Sequence, residues 1–376
     1  NGNYYAKRVP ASVFNNEKIL YVTCSGYRYT HVMVITESGK CWATGYGDQG
    51  QLGLNNTSSR NEFAEVTAVS GSPLNGKKII HIIMNQDGDA EGRTWWLTDE
   101  GKVYYAGYFR DYGQQTGVYD SAGSGTNGMP RILTNSSTLW NSDDQKVIYM
   151  VCTNVRYSTL WFITDGGSTG MEQKIYSTAS NYYGVQGTNN SPNSHTNSAS
   201  LGGWFGGEIL FSDFGDFEDG GDNSRPNEAI GNWSSFQDGG SNEKKMKIGK
   251  IIEIIPRGTP ENTYNSVVLM DEFGSLFFAG YWNYTPSRSN ENDGQHYLIY
   301  QNHWVPYFIH WPDQPAQCME NGFCHLGYGT ENGWFWLSRF GDVYTGGDNS
   351  WYQQSDYNSS GYDCGFPSWS TLDTNG

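Results

Sequence analysis

From residue 18 onward, short apolar runs alternate with polar breaks in a recurring order. Five segments share it: 18–54, 78–117, 146–187, 250–284 and 318–350. In the first four a β-branched run comes first, spelled ILYV, IIHII, VIYMV and IIEII. After a polar gap all five carry a second apolar run: VMVIT, TWWLT, LWFIT, VVLMD and WFWLS. A glycine-bearing turn follows, and then a third run ending in small residues, as in KCWATG, KVYYAG, SLFFAG and DVYTGG. Two apolar runs split by a tight glycine turn predict a β-hairpin. Gly39, Gly101, Gly274 and Gly341 mark those turns.

Repeats of roughly 60 residues with about four short strands each predict the blades of a β-propeller, because one blade cannot bury both faces alone. The expected fold is therefore all-β: a propeller of five to seven four-stranded blades with long loop insertions, spanning 1–376 as a single domain. Residues 1–17 read as the tail of a blade. Residues 188–249 read as an insertion or a degenerate blade, since GEILFSDFGDFEDGG at 207–221 keeps part of the frame. Gly-, Ser-, Asn- and Pro-rich stretches at 118–145 and 285–317 read as long connections.

GYGDQGQLGL at 45–54 contains Gly45-x-Gly47-x-x-Gly50, the spelling of a dinucleotide loop. Such a loop needs a helix after it, whose N-terminus faces the pyrophosphate. The residues that follow, QLGLNNTSSRNEF, have turn character and no helical period. The glycines are expected instead to permit positive φ in a tight turn. VTCSGYRYTHVMVITESGKCWATGYGDQGQLGL resembles the repeat of the regulator-of-chromosome-condensation propeller family. The match rests on Gly26, Gly39, Trp42, Gly45, Gly50, Gln51, Leu52 and Gly53. Later copies keep the hairpin and Gly107, Gly280 or Gly347, but lose much of the Gln-Leu-Gly ending. The resemblance implies a propeller, usually of seven blades. It also brings the family's activity, guanine nucleotide exchange on a small GTPase with nucleosome docking. Docking of that kind needs a basic arm, which this sequence lacks.

Composition narrows the functions. The chain has 48 Gly, 27 Tyr, 14 Trp and 17 Phe, with only 16% charged residues and a net charge of −16. Such an acidic chain repels phosphate backbones, so no nucleic-acid partner is expected. No apolar run is long enough for transmembrane insertion. The opening NGNYYAKRVP reads like the middle of a longer or processed polypeptide. Six cysteines without a CxxC leave the redox compartment open; Cys24, Cys152 and Cys324 are expected to be buried thiols.

Candidate chemistry is sparse. Gly166-Gly167-Ser168-Thr169-Gly170 spells a nucleophile elbow but falls in a hairpin turn. His296, His303 and His310 recur every seven residues, where Pro306 argues against a helix. His31 is expected to donate to a neighbouring turn. Asp213, Asp216, Glu218, Asp219 and Asp222 crowd a glycine-rich stretch; they read either as a solvated acidic turn or as a Ca2+ site. Trp95, Trp96, Trp161, Trp334 and Trp336 fall in hairpin strands and are expected in the core. Tyr27, Tyr29, Tyr46, Tyr108, Trp282, Trp304 and Trp351 fall near loops, where aromatics suit sugar stacking or protein hot spots.

Together these features point to a non-enzymatic extracellular binding or structural module. The expected form is a virion component (phage tail, fibre or surface protein) or an adhesin. Its expected partners are other structural protein chains of an assembly and a cell-surface receptor or glycan. The alternative is a regulatory or inhibitory propeller holding one soluble protein, as an exchange factor or an enzyme inhibitor does.

Overall fold

A computed structural model describes residues 6, 8–25, 29–86, 92–107, 127–133, 144–152, 159–165, 174–179, 251–258, 265–271, 276–282, 299–307, 323–328, 333–338 and 343–347. The chain divides into two units, Asn1–Ala179 and Ser180–Gly376. In the first, β1 (Ile19–Cys24), β2 (His31–Thr36), β3 (Cys41–Gly45) and β4 (Arg60–Glu65) form one antiparallel sheet in sequence order. β5 (Ile79–Gln86), β6 (Gly92–Thr98), β7 (Val103–Gly107) and β8 (Asn127–Ile132) form the next. β9 (Val147–Cys152), β10 (Thr159–Thr164) and β11 (Lys174–Ala179) give a three-stranded third. In the second unit β12 (Ile251–Gly258), β13 (Asn265–Asp271), β14 (Leu276–Trp282) and β15 (Ile299–Tyr307) form a four-stranded sheet. β16 (Phe323–Tyr328), β17 (Gly333–Ser338) and β18 (Val343–Gly347) form a three-stranded one.

These five meanders are the five repeats of the sequence. Two of their outer strands lie where the sequence reads as connection: β8 inside 118–145 and β15 inside 285–317. Both carry a proline, Pro130 and Pro306. An outer strand needs only one hydrogen-bonded side, so it tolerates a residue without an N–H.

Glycine sets the hairpins. Gly39 and Gly101 hold φ of +84° and +75°, in the left-handed region. A lysine from the next blade lies across each turn. A Cβ on Gly39 would sit 2.1 Å from Lys78 Cγ, and one on Gly101 2.4 Å from Lys146 Cβ. The backbone is tied as well: Ile79 N–H donates to Gly39 O at 2.8 Å and Val147 N–H to Gly101 O at 3.0 Å.

The first strand of each of the five described sheets is bulged near its start. The register breaks between Ile19 and Tyr21, Ile79 and His81, Ile251 and Glu253, and Phe323 and His325; in β9 it breaks opposite Ile163 and Thr164. Leu20, Ile80, Ile148, Ile252 and Cys324 are the extra residues. The run that reads as plain β-branched strand therefore carries one residue per blade that leaves the ladder.

The cores lie between blades. Met33, Ile35, Cys41 and Ala43 of the first blade meet Ile79, Ile82, Trp96 and Tyr104 of the second. The other face of the second blade, with Trp95, Leu97, Val103 and Tyr105, meets Val147, Met150, Leu160, Phe162 and Tyr176 of the third. Each such Ile, Leu, Val, Met or Phe contributes about 1.5–3 kcal/mol on burial. Trp95, Trp96 and Trp161 are core as expected; the side chains of Trp334 and Trp336 lie outside the described residues. Cys24, expected buried, is exposed and Cys41 is buried; the side chain of Cys324 lies outside the described residues. Cys152 is intermediate.

Ahead of β1, Ala11–Phe14 form a 3₁₀ turn. Phe14 packs edge-on to Trp42 and Phe63, at 5.8 and 5.0 Å between ring centroids. Glu17 latches this segment to the first hairpin, accepting from Lys40 Nζ and Thr36 Oγ1, both at 2.6 Å, and from Ser38. These bonds, that from Lys40 foremost, hold the Glu17 carboxyl down at about 2. The segment Phe14-Asn15-Asn16-Glu17-Lys18-Ile19 repeats Leu74-Asn75-Gly76-Lys77-Lys78-Ile79 ahead of β5. Asn16 has φ +61° where Gly76 has +72°.

Candidate functional site

The loop after β3 is built as a succession of tight turns. Gly50 closes a turn on Gly47 O at 2.7 Å and Gly53 one on Gly50 O at 3.1 Å. The chain then runs into β4, so no helix follows the loop as a dinucleotide site requires. Its residues are wedged into the second blade instead. A Cβ on Gly53 would lie 2.8 Å from Trp96 Cη2, and one on Gly92 2.5 Å from Gln51 Nε2. The Gln-Leu-Gly ending is thus an inter-blade clamp, with Gln51 and Leu52 buried.

A chain of hydrogen bonds completes the clamp. Thr94 Oγ1 donates to Gln51 O at 2.8 Å, which leaves its lone pairs for His31 Nε2–H at 3.0 Å. His31 Nδ1 then accepts from Ser25 Oγ at 2.9 Å. His31 is fully buried, and burial lowers its imidazole to about 3. It is a neutral strut between blades. Its reach to Thr94 goes beyond the local turn that the sequence suggests.

The elbow spelling at 166–170 lies outside the described residues. Its flanks pair as antiparallel strands, Thr164 opposite Lys174, where an elbow would require a helix. His303 lies in strand β15; His296 and His310 lie outside the described residues.

Among the described residues, two of the seven loop aromatics meet. Tyr29 precedes β2 and Tyr46 follows β3; their centroids lie 4.7 Å apart at 39°. Both rings are half-buried. Tyr46 N–H donates to Thr30 O at 3.0 Å, fixing the two segments side by side. Burial raises the Tyr46 phenol above its ordinary value, with Asp48 and Tyr29 adding in the same direction. Asp48 is exposed, and its Oδ1 accepts from Ser59 Oγ at 2.6 Å. Ser59 Oγ in turn accepts Gly47 N–H at 3.1 Å. Gln49 Oε1 is a buried acceptor without a partner.

Trp282 ends β14 opposite Ile299, and Trp304 sits in β15 where the register with β14 breaks. Both are strand residues, and their side chains lie outside the described set. Tyr27, Tyr108 and Trp351 lie outside it too, as do Asp213, Asp216, Glu218, Asp219 and Asp222. Among the described residues no group of His, Cys, Asp or Glu is placed to hold a metal ion. Among them, no helix is long and apolar enough to cross a membrane.

A second surface was not visible in the sequence. The bulge residues Leu20, Ile80, Ile148 and Ile252 are 60%, 49%, 52% and 47% exposed. In the first unit β1, β5 and β9 lie side by side, so Leu20, Ile80 and Ile148 form a row. The next residue of each strand makes a ladder beneath it. Tyr21 and His81 lie 5.7 Å apart, and His81 stacks on Tyr149 at 6.5 Å and 19°. Tyr21 Oη donates to Ile82 O at 3.5 Å. Burial lowers the His81 imidazole, opposed by a hydrogen bond to the Met150 backbone. No signal short of the register could have found this row.

No family model and no curated protein matches the chain. Solved structures do. Human WBSCR16 is 15% identical with a TM-score of 0.52, covering 88% of this chain. The chain spans 62% of that protein's length. Yeast RCC1 (Prp20), solved bound to Kap60, is 12% identical with a TM-score of 0.43, covering 88% of this chain and 70% of that one. A second structure, Prp20p from Saccharomyces cerevisiae, is 12% identical with a TM-score of 0.40, covering 88% and 72%. The likeness to WBSCR16 shows the fold alone: the chain is a β-propeller similar in fold to regulator-of-chromosome-condensation-like proteins.

Proposed function

We propose that this chain is a non-enzymatic binding propeller that takes a protein partner along the exposed aliphatic residues of its first strands. The observation behind this is Leu20, Ile80 and Ile148, one exposed aliphatic per blade at a single repeat position. Exposed apolar side chains in a shared row favour a protein contact over open solvent. Replacing all three with Asp should leave the melting temperature nearly unchanged, because none is in a core. It should abolish cross-linking to the partner in material from the source; retained cross-linking would count against the row. Nucleotide release from candidate GTPases is the check on an exchange-factor role within the same class.

Composition favours a second reading, in which the chain belongs to an extracellular or virion-surface assembly, or to an adhesin. Its abundance of Gly, Tyr and Trp and its net charge of −16 fit decorated surface loops. Native mass separates the two: a particle far above 42.1 kDa supports the assembly, a monodisperse monomer the soluble partner.

A further inference from the structure

We propose that Tyr29, Tyr46 and Asp48 form a carbohydrate subsite that seats one pyranose ring of a neutral glycan. It goes beyond the protein-binding row and lies at the opposite end of the first blade. Leu20 sits beside the β2–β3 turn, whereas Tyr29 and Tyr46 flank the far ends of those strands.

Three features carry it. The rings come from two separate segments and are held in contact at 4.7 Å, with the Tyr46 N–H to Thr30 O bond locking the segments. They are half-buried, so each keeps some surface open to a ligand. A pyranose presents a flat C–H face, and aromatic rings supply the matching apolar surface. The carboxylate is also aimed in advance. Ser59 holds Asp48 Oδ1 at 2.6 Å, and Ser59 is held by Gly47 N–H. A group fixed before the ligand arrives costs less ordering on binding. Finally, the polar side of the site offers acceptors. The Asp48 carboxylate is exposed, and both of its oxygens accept. Sugar hydroxyls supply the donors such a set lacks. The negative charge of Asp48 opposes uronic or sialic acids, which is why the glycan is neutral.

Calorimetric titration of the full chain with soluble hexasaccharides of glucose, mannose, galactose and N-acetylglucosamine tests this. At least one should bind. Tyr29→Ala and Tyr46→Ala should each weaken it about tenfold or more, and Asp48→Asn several-fold. Tyr46→Phe keeps the ring and should retain most of the affinity, which covers the case in which the alanine variant melts early. Leu20→Asp should bind as the parent does. No binding by any oligosaccharide would overturn the subsite. So would unchanged affinity in a folded Tyr46→Ala, or capture of tetramethylammonium in place of sugar, which would mark a cation cage.

Discussion

At the scale of single residues, backbone angle and buried titration decide most. Gly45 ends β3 at φ +103°, and a Cβ there would lie 2.5 Å from Thr30 O. Gly45→Ala is therefore expected to cost about 2–4 kcal/mol, read as a lower urea midpoint. Asn16 occupies the left-handed region where its counterpart is Gly76. Asn16→Gly should be close to neutral, and Asn16→Val should cost about 1–2 kcal/mol, because a branched Cβ crowds the carbonyl in that conformation. His31 makes stability depend on pH. The folded protein keeps it neutral down to about 3, while the unfolded chain takes up the proton near 6.5. Between those values the unfolded state binds more protons, so its contribution is complete above 6.5 and falls as pH drops. The slope is up to about 1.4 kcal/mol per pH unit. Denaturation from pH 8 to 4 should show it, and His31→Gln, though less stable overall, should be flatter across that window. A profile as steep as the parent's would remove His31 as the cause. Glu17 acts lower and in the same direction. Its contribution is present above the unfolded value near 4.5 and lost as pH falls toward about 2. The positive-φ glycines could be read from the sequence because turn chemistry is local. The bond from His31 to Thr94 could not, because it needs the position of a residue 63 places away.

At the scale of the strand and hairpin, the sequence was legible wherever side-chain alternation met a tight turn. ESGK and DEGK announce the β2–β3 and β6–β7 hairpins, and the register confirms them. It was less legible at the outer edge. NGMPRI of β8 has a proline and little alternation, since a strand with one free side has less to specify. Bulges leave no mark at all, because IIHI spells the same whether or not its second residue leaves the ladder. Between blades the decisive contact is Trp96 against Gly53. Trp96→Ala should cost about 3–5 kcal/mol, as the rigid clamp cannot collapse into the space. Gly53→Ala should also be severe, since it adds a clash to a φ of +70°. If the two replacements together cost no less than their sum, the contact is not where their energy lies.

At the scale of the whole molecule, repetition was the readable feature and placement was not. Spacing announced repeated blades, five to seven of them, yet only the assembled registers show that an aliphatic emerges at the same point of each of four described ones. The candidate aromatics scatter in the same way: Tyr29 and Tyr46 meet, while Trp282 and Trp304 belong to strands. Charge is uneven as well, with acidic excess concentrated after residue 180. The nearly balanced charge of the first unit predicts that a partner of the Leu20–Ile80–Ile148 row is held with little salt dependence. Raising NaCl from 0.05 to about 0.5 M should change its affinity less than threefold. The repeated bulge has a further consequence for survival at high concentration. A straight, apolar first strand would be a template on which other chains could stack into fibrils. One extra residue per blade breaks the spacing such stacking needs, so the protein displays aliphatic side chains without offering a continuous edge for aggregation.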